Sequence, residues 1–150
     1  MALPTHIDLQ IVTPDKLIVR DKVDEVQVPG SEGYFGVLPG HAPLLAALAV
    51  GELWYRKGSE KTFVAIANGF AEVLPESVTI LAQLAERPED IDVARAEAAR
   101  KRAEDRLKSS GLDTDIPRAG IALIKAFNRL QVSSRAGTES RKAAHKQVRT

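Results

Sequence analysis

The 150-residue chain contains no cysteine, few aromatic residues and no long hydrophobic run. The missing thiols exclude disulfide bridges, thiolate metal sites and cysteine catalysis, and they fit a reducing compartment. No apolar stretch approaches the roughly 18 residues that a membrane-spanning helix needs, and no secretory signal is visible at the start. Hydrophobic residues still make up 44% of the sequence, enough for a folded core. We therefore expect a folded protein without covalent cross-links or membrane spans.

The two parts of the chain carry opposite charge, which the net charge of +1 hides. Residues 1–86 contain 6 Lys/Arg and 11 Asp/Glu, whereas residues 87–150 contain 15 Lys/Arg and 9 Asp/Glu. Six of the seven aromatic residues also lie before residue 87. This asymmetry predicts two modules with different partners, divided near Pro88.

Residues 1–86 show the short alternating segments that are typical of β-strands. Ile7, Leu9 and Ile11 alternate with polar residues, and similar segments continue to Ala85 between turn-forming residues. The dipeptide Asn68-Gly69 tolerates positive φ and predicts a type I′ hairpin turn. Many short strands with frequent turns predict an antiparallel β-sandwich or flattened barrel.

Residues 87–133 predict an antiparallel two-helix hairpin, which makes the fold class α+β. Asp90 is the predicted N-cap of the first helix, and Asp115 and Pro117 open the second. The first helix has a narrow apolar stripe of Ala96, Ala99, Ala103 and Leu107. The second has an apolar face of Leu123, Phe127 and Leu130. A stripe made mostly of methyl groups buries little area, so we expect a weakly packed, mobile hairpin.

Charge patterning adds two expectations for the same region. Glu97–Lys101 and Glu104–Lys108 have the i,i+4 spacing of helical ion pairs. Residues 134–150 are polar, basic and poor in apolar residues, which predicts a disordered tail. A solvated helix face is the simpler interpretation of Lys101 and Lys108.

The segment Pro29–Pro43 contains four glycines. Glycine-rich segments also form phosphate-binding loops, so we compared its spacing with the known motifs. It lacks the spacing of a P-loop, of a dinucleotide fingerprint and of a hydrolase nucleophile elbow. His6, His41 and His145 are too scattered to predict a metal site. We therefore interpret the glycines as turns and expect the His41 ring to hydrogen-bond backbone, with no catalytic or metal-binding residue. A small enzyme using His41 with Glu32 is the open alternative.

The same segment carries a family resemblance. "VPGSEGYFGVLPGHAPLLAAL" resembles the signature loop of the ATP synthase F1 epsilon subunit family. "NGFAEV" and "VTILA" resemble its later strands, while "IDVARA" and "KAFNRLQV" resemble parts of its two helices. The likeness spans roughly residues 5–133. Tyr34 stands where many relatives carry a carboxylate, and the chain after Ser133 extends beyond what the family usually needs.

The resemblance implies a non-catalytic subunit of the central rotor of F-type ATP synthase. Its β-sandwich is expected to contact the gamma subunit and the c-ring, transmitting torque between them. Its helical hairpin is expected to restrain ATP hydrolysis by contacting an acidic surface of the beta subunits, because the hairpin region is basic. The residues expected to form the rotor-contact loop are Glu32, Tyr34, Phe35 and His41.

The resemblance also implies a regulatory nucleotide, although no cofactor is required. The family residues that bind ATP carry over to Glu86, Asp92, Arg95, Arg102 and Arg129. Lys125 stands where nucleotide-binding relatives have Arg. The planar guanidinium group, which can donate two parallel hydrogen bonds to a phosphate, is thus replaced by a single ammonium group. The simpler interpretation is that Asp92 only charges the helix start and pairs with Arg95.

The basic helices also suggest an alternative function. A nucleic-acid-binding adaptor using the basic helices is the alternative, but Phe127 is the one aromatic residue after residue 87 and provides no stacking platform.

Because the likeness begins near residue 5, it leaves no room for a transit peptide. We therefore expect a peripheral protein on the cytoplasmic face of a bacterial plasma membrane, with a plastid thylakoid as the alternative.

Overall fold

The computed structural model describes residues 2–109, 111 and 114–147, with side chains described as far as Ala136. The chain divides into two compact units, Met1–Glu86 and Arg87–Thr150. The division lies where the charge and the aromatic content of the sequence change.

The first unit is a β-sandwich of eight strands. The strands are β1 (Ile7–Val12), β2 (Leu17–Val23), β3 (Glu25–Gly30), β4 (Gly33–Val37), β5 (Leu44–Leu48), β6 (Gly51–Lys57), β7 (Glu60–Val73) and β8 (Ser77–Glu86). The strand order is β2-β1-β8-β7-β5-β3-β4, and β6 pairs with both β3 and β7. The predicted sandwich is confirmed. Its strand pairs are antiparallel except β1 and β8, which run parallel and are separated in the sequence by the six other strands.

Strand β7 is long enough to join both halves of the sandwich. Its first part pairs with β6 and its last part with β5, while β8 follows most of its length. Asn68 and Gly69 lie between these parts with φ of 58° and 127°. The prediction of positive φ was right, but the hairpin turn was wrong. Pairing with β8 continues on both sides of Asn68, so the dipeptide kinks a continuous strand instead of reversing it.

The sandwich core is built from the inward positions of every strand. Its largest fully buried side chains are Ile, Leu and Val, because β-branched residues fit a pleated, buried surface. Among the described residues, no polar or charged side chain is buried. These buried side chains include Ile7, Leu9, Ile11, Val26, Val28, Leu53, Val64, Ile66 and Ile80.

The second unit contains a 3₁₀ turn (Pro88–Asp90), α1 (Val93–Lys108) and α2 (Ile116–Gln147). The predicted N-cap at Asp90 was wrong, because Asp90 lies in the 3₁₀ turn. Asp92 caps α1 instead, its carboxylate accepting from the backbone N–H of Arg95 at 3.0 Å. Asp115 opens α2 as predicted, accepting from the backbone N–H of Arg118 at 3.1 Å.

The two helices meet along a line of small side chains. The fully buried positions are Ala96, Ala103, Ala119, Ala126 and Val132. The stripe predicted for α1 is confirmed, since Ala99 and Leu107 are half-buried beside Ala96 and Ala103. The face predicted for α2 was partly wrong. Leu123 and Leu130 are half-buried, but Phe127 is 49% exposed and its neighbour Ala126 takes the buried position.

Two further predictions for this unit need correction. The carboxylates of Glu97 and Glu104 pair with Arg100, at 2.7 Å and 3.2 Å, instead of with Lys101 and Lys108. The segment 134–147 is helical as the last part of α2, so disorder from residue 134 was wrong for these residues. Its composition is polar but contains Ala, Arg, Lys, Gln and Glu, which favour helix, and it contains no proline. Residues 148–150 lie outside the described residues.

Candidate functional site

The residues predicted to contact the rotor lie on a short β-hairpin and the loop that follows it. Glu32 lies in the turn between β3 and β4, where it is exposed. Tyr34 and Phe35 are neighbours in β4, so they point to opposite faces. Tyr34 is 56% exposed, whereas Phe35 packs against the core. The hairpin therefore presents one carboxylate and one aromatic ring outward.

Backbone hydrogen bonds hold this hairpin against the neighbouring strands. The N–H of Ser31 donates to the carbonyl of Ala47 at 2.8 Å, and the N–H of Ala49 donates to that of Pro29 at 3.0 Å. The segment is therefore a fixed part of the sandwich rather than a flexible phosphate-binding loop.

Tyr34 lies across the start of β6. Its hydroxyl accepts a hydrogen bond from the backbone N–H of Glu52 at 3.1 Å. A Cβ on Gly51 would lie 2.6 Å from that hydroxyl and 2.6 Å from the Cβ of Pro29, so only glycine leaves room for the ring. The ring of Tyr34 is thus positioned by its own contacts.

His41 makes a structural contact, as the sequence predicts. Its Nδ1 lies 2.6 Å from the carbonyl oxygen of Ala42. Because that oxygen only accepts, Nδ1 must carry the proton. Preceding Gly40 adopts φ of 84° and donates its N–H to Pro75 at 2.7 Å. The ring therefore closes a turn, and the structure gives it a backbone partner instead of Glu32.

The predicted nucleotide residues divide between the two units. Glu86 ends β8 in the first unit, whereas the other four lie in the second. Arg95 and Arg102 are exposed on α1. They are seven residues apart, so they share a helix face about 10 Å apart along the axis. Arg129 is half-buried on α2 and already takes part in an interaction of its own.

Asp92 is committed to the helix start in this structure. Its Oδ1 accepts from the backbone N–H of Arg95, which satisfies one of the free N–H groups of the first turn. The contact is a helix cap, which is close to the simpler interpretation of this residue. The pairing partner is the backbone of Arg95 and not its guanidinium.

Lys125, the departure from the nucleotide-binding pattern, lines a groove of about 380 Å³ along the first turns of α2. Arg118 lines the same groove, so two cations face one open space. The other lining residues are Asp115, Pro117, Ile121 and Ala122.

The sequence did not single out an apolar row on the outer face of the sandwich. Five residues occupy paired positions across neighbouring strands, and Phe70 and Leu81 are 55% and 54% exposed. The row runs Ala47, Phe70, Leu81, Val12 and Leu17. A usable signal was present, because "VTILA" in β8 is nearly continuous in apolar residues where a half-solvated strand would alternate. An exposed apolar row of this kind indicates a protein contact.

A charged cluster fastens the β6–β7 hairpin to the β2–β3 connection. The N–H of Gly58 donates to Asp24 at 2.7 Å, and His6 Nδ1 lies 3.0 Å from the other oxygen of Asp24. The Gly58 N–H, and then His6 and Arg56, lower the pKa of Asp24. The ammonium of Lys57 likewise lowers the pKa of Asp21, which it contacts at 2.9 Å. This cluster stabilises the sandwich.

Within residues 2–109, 111 and 114–147, no group of three His, Cys, Asp or Glu residues is arranged to hold a metal ion. In the same part of the chain, no helix is long and apolar enough to span a membrane.

Two sequence profiles of one family match consecutive parts of the chain. The beta-sandwich domain of the ATP synthase delta/epsilon chain matches residues 6–88. The long alpha-helix domain of the same chain matches residues 89–134. The boundary between the profiles lies within two residues of the boundary between the structural units.

Curated relatives carry the name ATP synthase epsilon chain. One from Nitratidesulfovibrio vulgaris is 48% identical over 130 residues, covering 87% of this chain and 97% of the relative. One from Halalkalibacterium halodurans is 46% identical over 134 residues, covering 89% and 100%. One from Koribacter versatilis is 59% identical over 104 residues, covering 69% and 73%.

Solved structures agree with the sequence matches. A chain of the Euglena gracilis mitochondrial ATP synthase, in a structure of its OSCP, F1 and c-ring, matches with a TM-score of 0.75 and 29% identity. That match covers 87% of this chain and 82% of the other. A chain from the Tetrahymena thermophila central stalk and c-ring has a TM-score of 0.54 at 15% identity, which shows the fold alone.

Proposed function

This chain belongs to the ATP synthase delta/epsilon chain family, and on this basis we propose that its β-sandwich fastens it to the rotor while its helical hairpin restrains ATP hydrolysis. As an epsilon-type member it is a non-catalytic subunit of the central stalk of F-type ATP synthase. The matched profiles and relatives give the nucleic-acid-binding alternative no support. The observation that carries the proposal is the pairing of a firmly packed sandwich with a hairpin packed mainly through alanines.

The sandwich offers two different surfaces to the rotor. The apolar row from Ala47 to Leu17 fits a permanent protein partner, because lasting interfaces are the more hydrophobic ones. We assign this row to the gamma subunit. The β3–β4 hairpin, which carries Glu32 and Tyr34, is polar, exposed and rigid. These properties fit the polar loops of the c-ring. A fixed contact on each surface would let the sandwich transmit torque between gamma and the ring.

The helical hairpin has the packing expected of an element whose two helices rearrange during regulation. Within the helices its buried side chains are four alanines and one valine, while Leu107, Leu123 and Leu130 are only half-buried, so the seam buries little apolar area. Elements that move during regulation are drawn from the less stable parts of a protein. We propose that the hairpin restrains hydrolysis by contacting an acidic surface of the beta subunits.

The location follows from membership of the complex. The curated relatives named above come from bacteria, and the complex is membrane-associated. We propose that the chain lies peripherally on the cytoplasmic face of the plasma membrane. It would be held there by its partner subunits, since the described residues contain no spanning helix.

Regulatory ATP binding is a second candidate function, supported by the cations of the hairpin. Arg95 and Arg102 share an exposed face of α1, and guanidinium groups bind phosphates bidentately. Lys125 and Arg118 line the groove on α2. Bound ATP would favour the folded arrangement of the two helices over an extended one. In this proposal Asp92 and Arg129, which lie in the same unit as the arginines of α1, contribute further contacts.

Calorimetric titration of the full chain with ATP tests the nucleotide proposal. We expect heat of binding at millimolar ATP, lost in Arg95→Gln and retained in Lys101→Gln, an exposed α1 cation outside the proposed site. No heat in the unchanged protein would leave Asp92 as a helix cap and remove the nucleotide role.

Co-purification tests the assignment of the two units. A tagged fragment of residues 1–87 should recover the ATP synthase complex in fixed stoichiometry, because it carries the proposed rotor contacts. A tagged fragment of residues 88–150 should not recover it after a wash at high salt, because the contact proposed for this fragment is electrostatic. Recovery by the second fragment alone would show that the hairpin is the assembly element and would contradict the proposal.

A further inference from the structure

The positive charge of the second unit is concentrated at its C-terminal end. Residues 87–133 contain ten Lys/Arg and eight Asp/Glu, a net charge of +2. Residues 134–150 contain five Lys/Arg and one Asp/Glu, a net charge of +4. The shorter segment therefore carries two-thirds of the net charge of the unit, and its residues 135–147 alone carry +3, from four Lys/Arg and one Glu.

The cations of the hairpin itself are partly neutralised by local partners. Arg100 lies between Glu97 and Glu104 and makes ion pairs with both, at 2.7 Å and 3.2 Å. Acidic residues also alternate with the basic ones along α1. Such a helix surface attracts an acidic partner only weakly. The electric fields of neighbouring opposite charges largely cancel at distances greater than the spacing between them.

Helix α2 carries the basic segment beyond the pairing with α1. It has 32 residues against 16 in α1, or about 48 Å against about 24 Å at 1.5 Å per residue. The last fully buried residue of the hairpin seam is Val132. The remaining residues to Gln147 continue the helix for about four turns.

This part of α2 lies outside the family pattern. The alpha-helix profile ends at residue 134. The relatives from N. vulgaris and H. halodurans are covered over 97% and 100% of their length, yet they take in only 87% and 89% of this chain. The basic segment thus lies beyond the part of the chain that the family profile matches.

We propose that residues 135–147 form a cationic extension that binds an acidic protein surface of the ATP synthase complex and supplies most of the electrostatic attraction that docks the hairpin. This inference rests on the proposed restraint of hydrolysis by the hairpin. The extension acts by charge, so its contribution falls with ionic strength as exposed ion pairs are screened.

The composition of the extension favours a protein partner over a membrane or a nucleic acid. A helix that lies on a membrane needs a face of large apolar residues, and residues 135–147 contain none larger than alanine. Binding to single-stranded nucleic acid needs aromatic side chains for base stacking, and the same residues contain none apart from His145.

The test compares two variants that lose the same charge. The extension variant carries R141Q, K142Q and K146Q, and the matched control carries K101Q, R106Q and K108Q on the exposed surface of α1. Glutamine retains helix propensity while removing the charge. Each full-length variant is added to the cognate F1 complex depleted of this chain. The hydrolysis rate is measured from low to physiological salt, relative to a complex that carries residues 1–87.

The extension variant should weaken the restraint about tenfold at low salt, since each exposed ion pair contributes a factor of about two to three. It should also lose most of the salt dependence of the restraint. The control should keep more than half of the restraint and its salt dependence. Equal effects of the two variants would overturn the extension as the main electrostatic contact.

Two further outcomes separate this inference from the function on which it rests. If the unchanged chain and residues 1–87 give equal hydrolysis at every salt concentration, the hairpin does not restrain and the proposed function fails first. If the unchanged chain binds anionic lipid vesicles at physiological salt and the extension variant does not, the partner is a membrane and the protein-surface proposal is wrong.

Discussion

Replacing Gly69 by alanine should destabilise the sandwich far more than replacing Gly58 or Gly36. Gly69 has φ of 127°, a conformation that costs a residue with a side chain on the order of 1–3 kcal/mol. Its new Cβ would also overlap the carbonyl oxygen of Leu81 and lie 2.9 Å from the Cα of Ala82. Because these are backbone atoms of β8, strands β7 and β8 must separate locally. We expect a total loss of about 3 kcal/mol or more.

Two other glycines provide graded controls. Gly58 has φ of 62° with nothing near its Cβ position, so Gly58→Ala should cost only about 1 kcal/mol of backbone strain. Gly36 has neither a positive φ nor a near neighbour, so Gly36→Ala should change the stability by less than about 0.5 kcal/mol. The three substitutions separate steric overlap from backbone strain.

Thermal unfolding of the full chain, followed by the fluorescence of Trp54, measures these differences. Trp54 is the one tryptophan of the chain and lies in β6, so its signal reports on the sandwich alone. A loss of 3 kcal/mol should lower Tm by about 12–24 °C for a domain of this size. If Gly69→Ala unfolds within about 5 °C of Gly36→Ala, the account of the β7 kink is wrong.

Three further predictions concern the sandwich. Lowered pKa values at Asp24 and Asp21 mean that these carboxylates add stability above their unfolded pKa near 4, and that this stability is lost as pH falls below it. Tm should therefore fall between pH 5 and 3, and fall less in Asp24→Asn; an equal fall would contradict the role of Asp24. Residues 1–86 alone should give a β-type circular dichroism spectrum, since the core is closed within them, and a random-coil spectrum would refute this. His41→Ala should leave the catalytic turnover of an assembled complex intact; abolished turnover would contradict a structural role.

Alternation and turn residues were enough to predict the sandwich but not its connections. The strand β1 shows its inward positions directly, because Ile7, Leu9 and Ile11 are all fully buried. The parallel pairing of β1 with β8 left no local signal, since it depends on how all eight strands are arranged. Asn68-Gly69 shows the same limit: the dipeptide fixed the sign of φ, while distant pairing with β8 decided between turn and kink.

Some residues of the candidate surfaces could be predicted from the sequence and others could not. The partner of His41 was predictable because a turn leaves its ring close to backbone carbonyls. The row with Phe70 and Leu81 was not predicted, because its members come from five separate strands and become neighbours only in the sheet. In the hairpin, Ala126 displaced Phe127 from the seam because close packing against alanines leaves no room for a ring.

The most direct test of the central claim is the rate of ATP hydrolysis by the complex with the full chain and with residues 1–87 alone. If the sandwich is the rotor contact and the hairpin the restraint, the shortened chain will still assemble in fixed stoichiometry and couple hydrolysis to ion transport. Hydrolysis will then be faster than with the full chain. A complex that fails to assemble without residues 88–150, or one that assembles and hydrolyses ATP at an unchanged rate, would contradict the account.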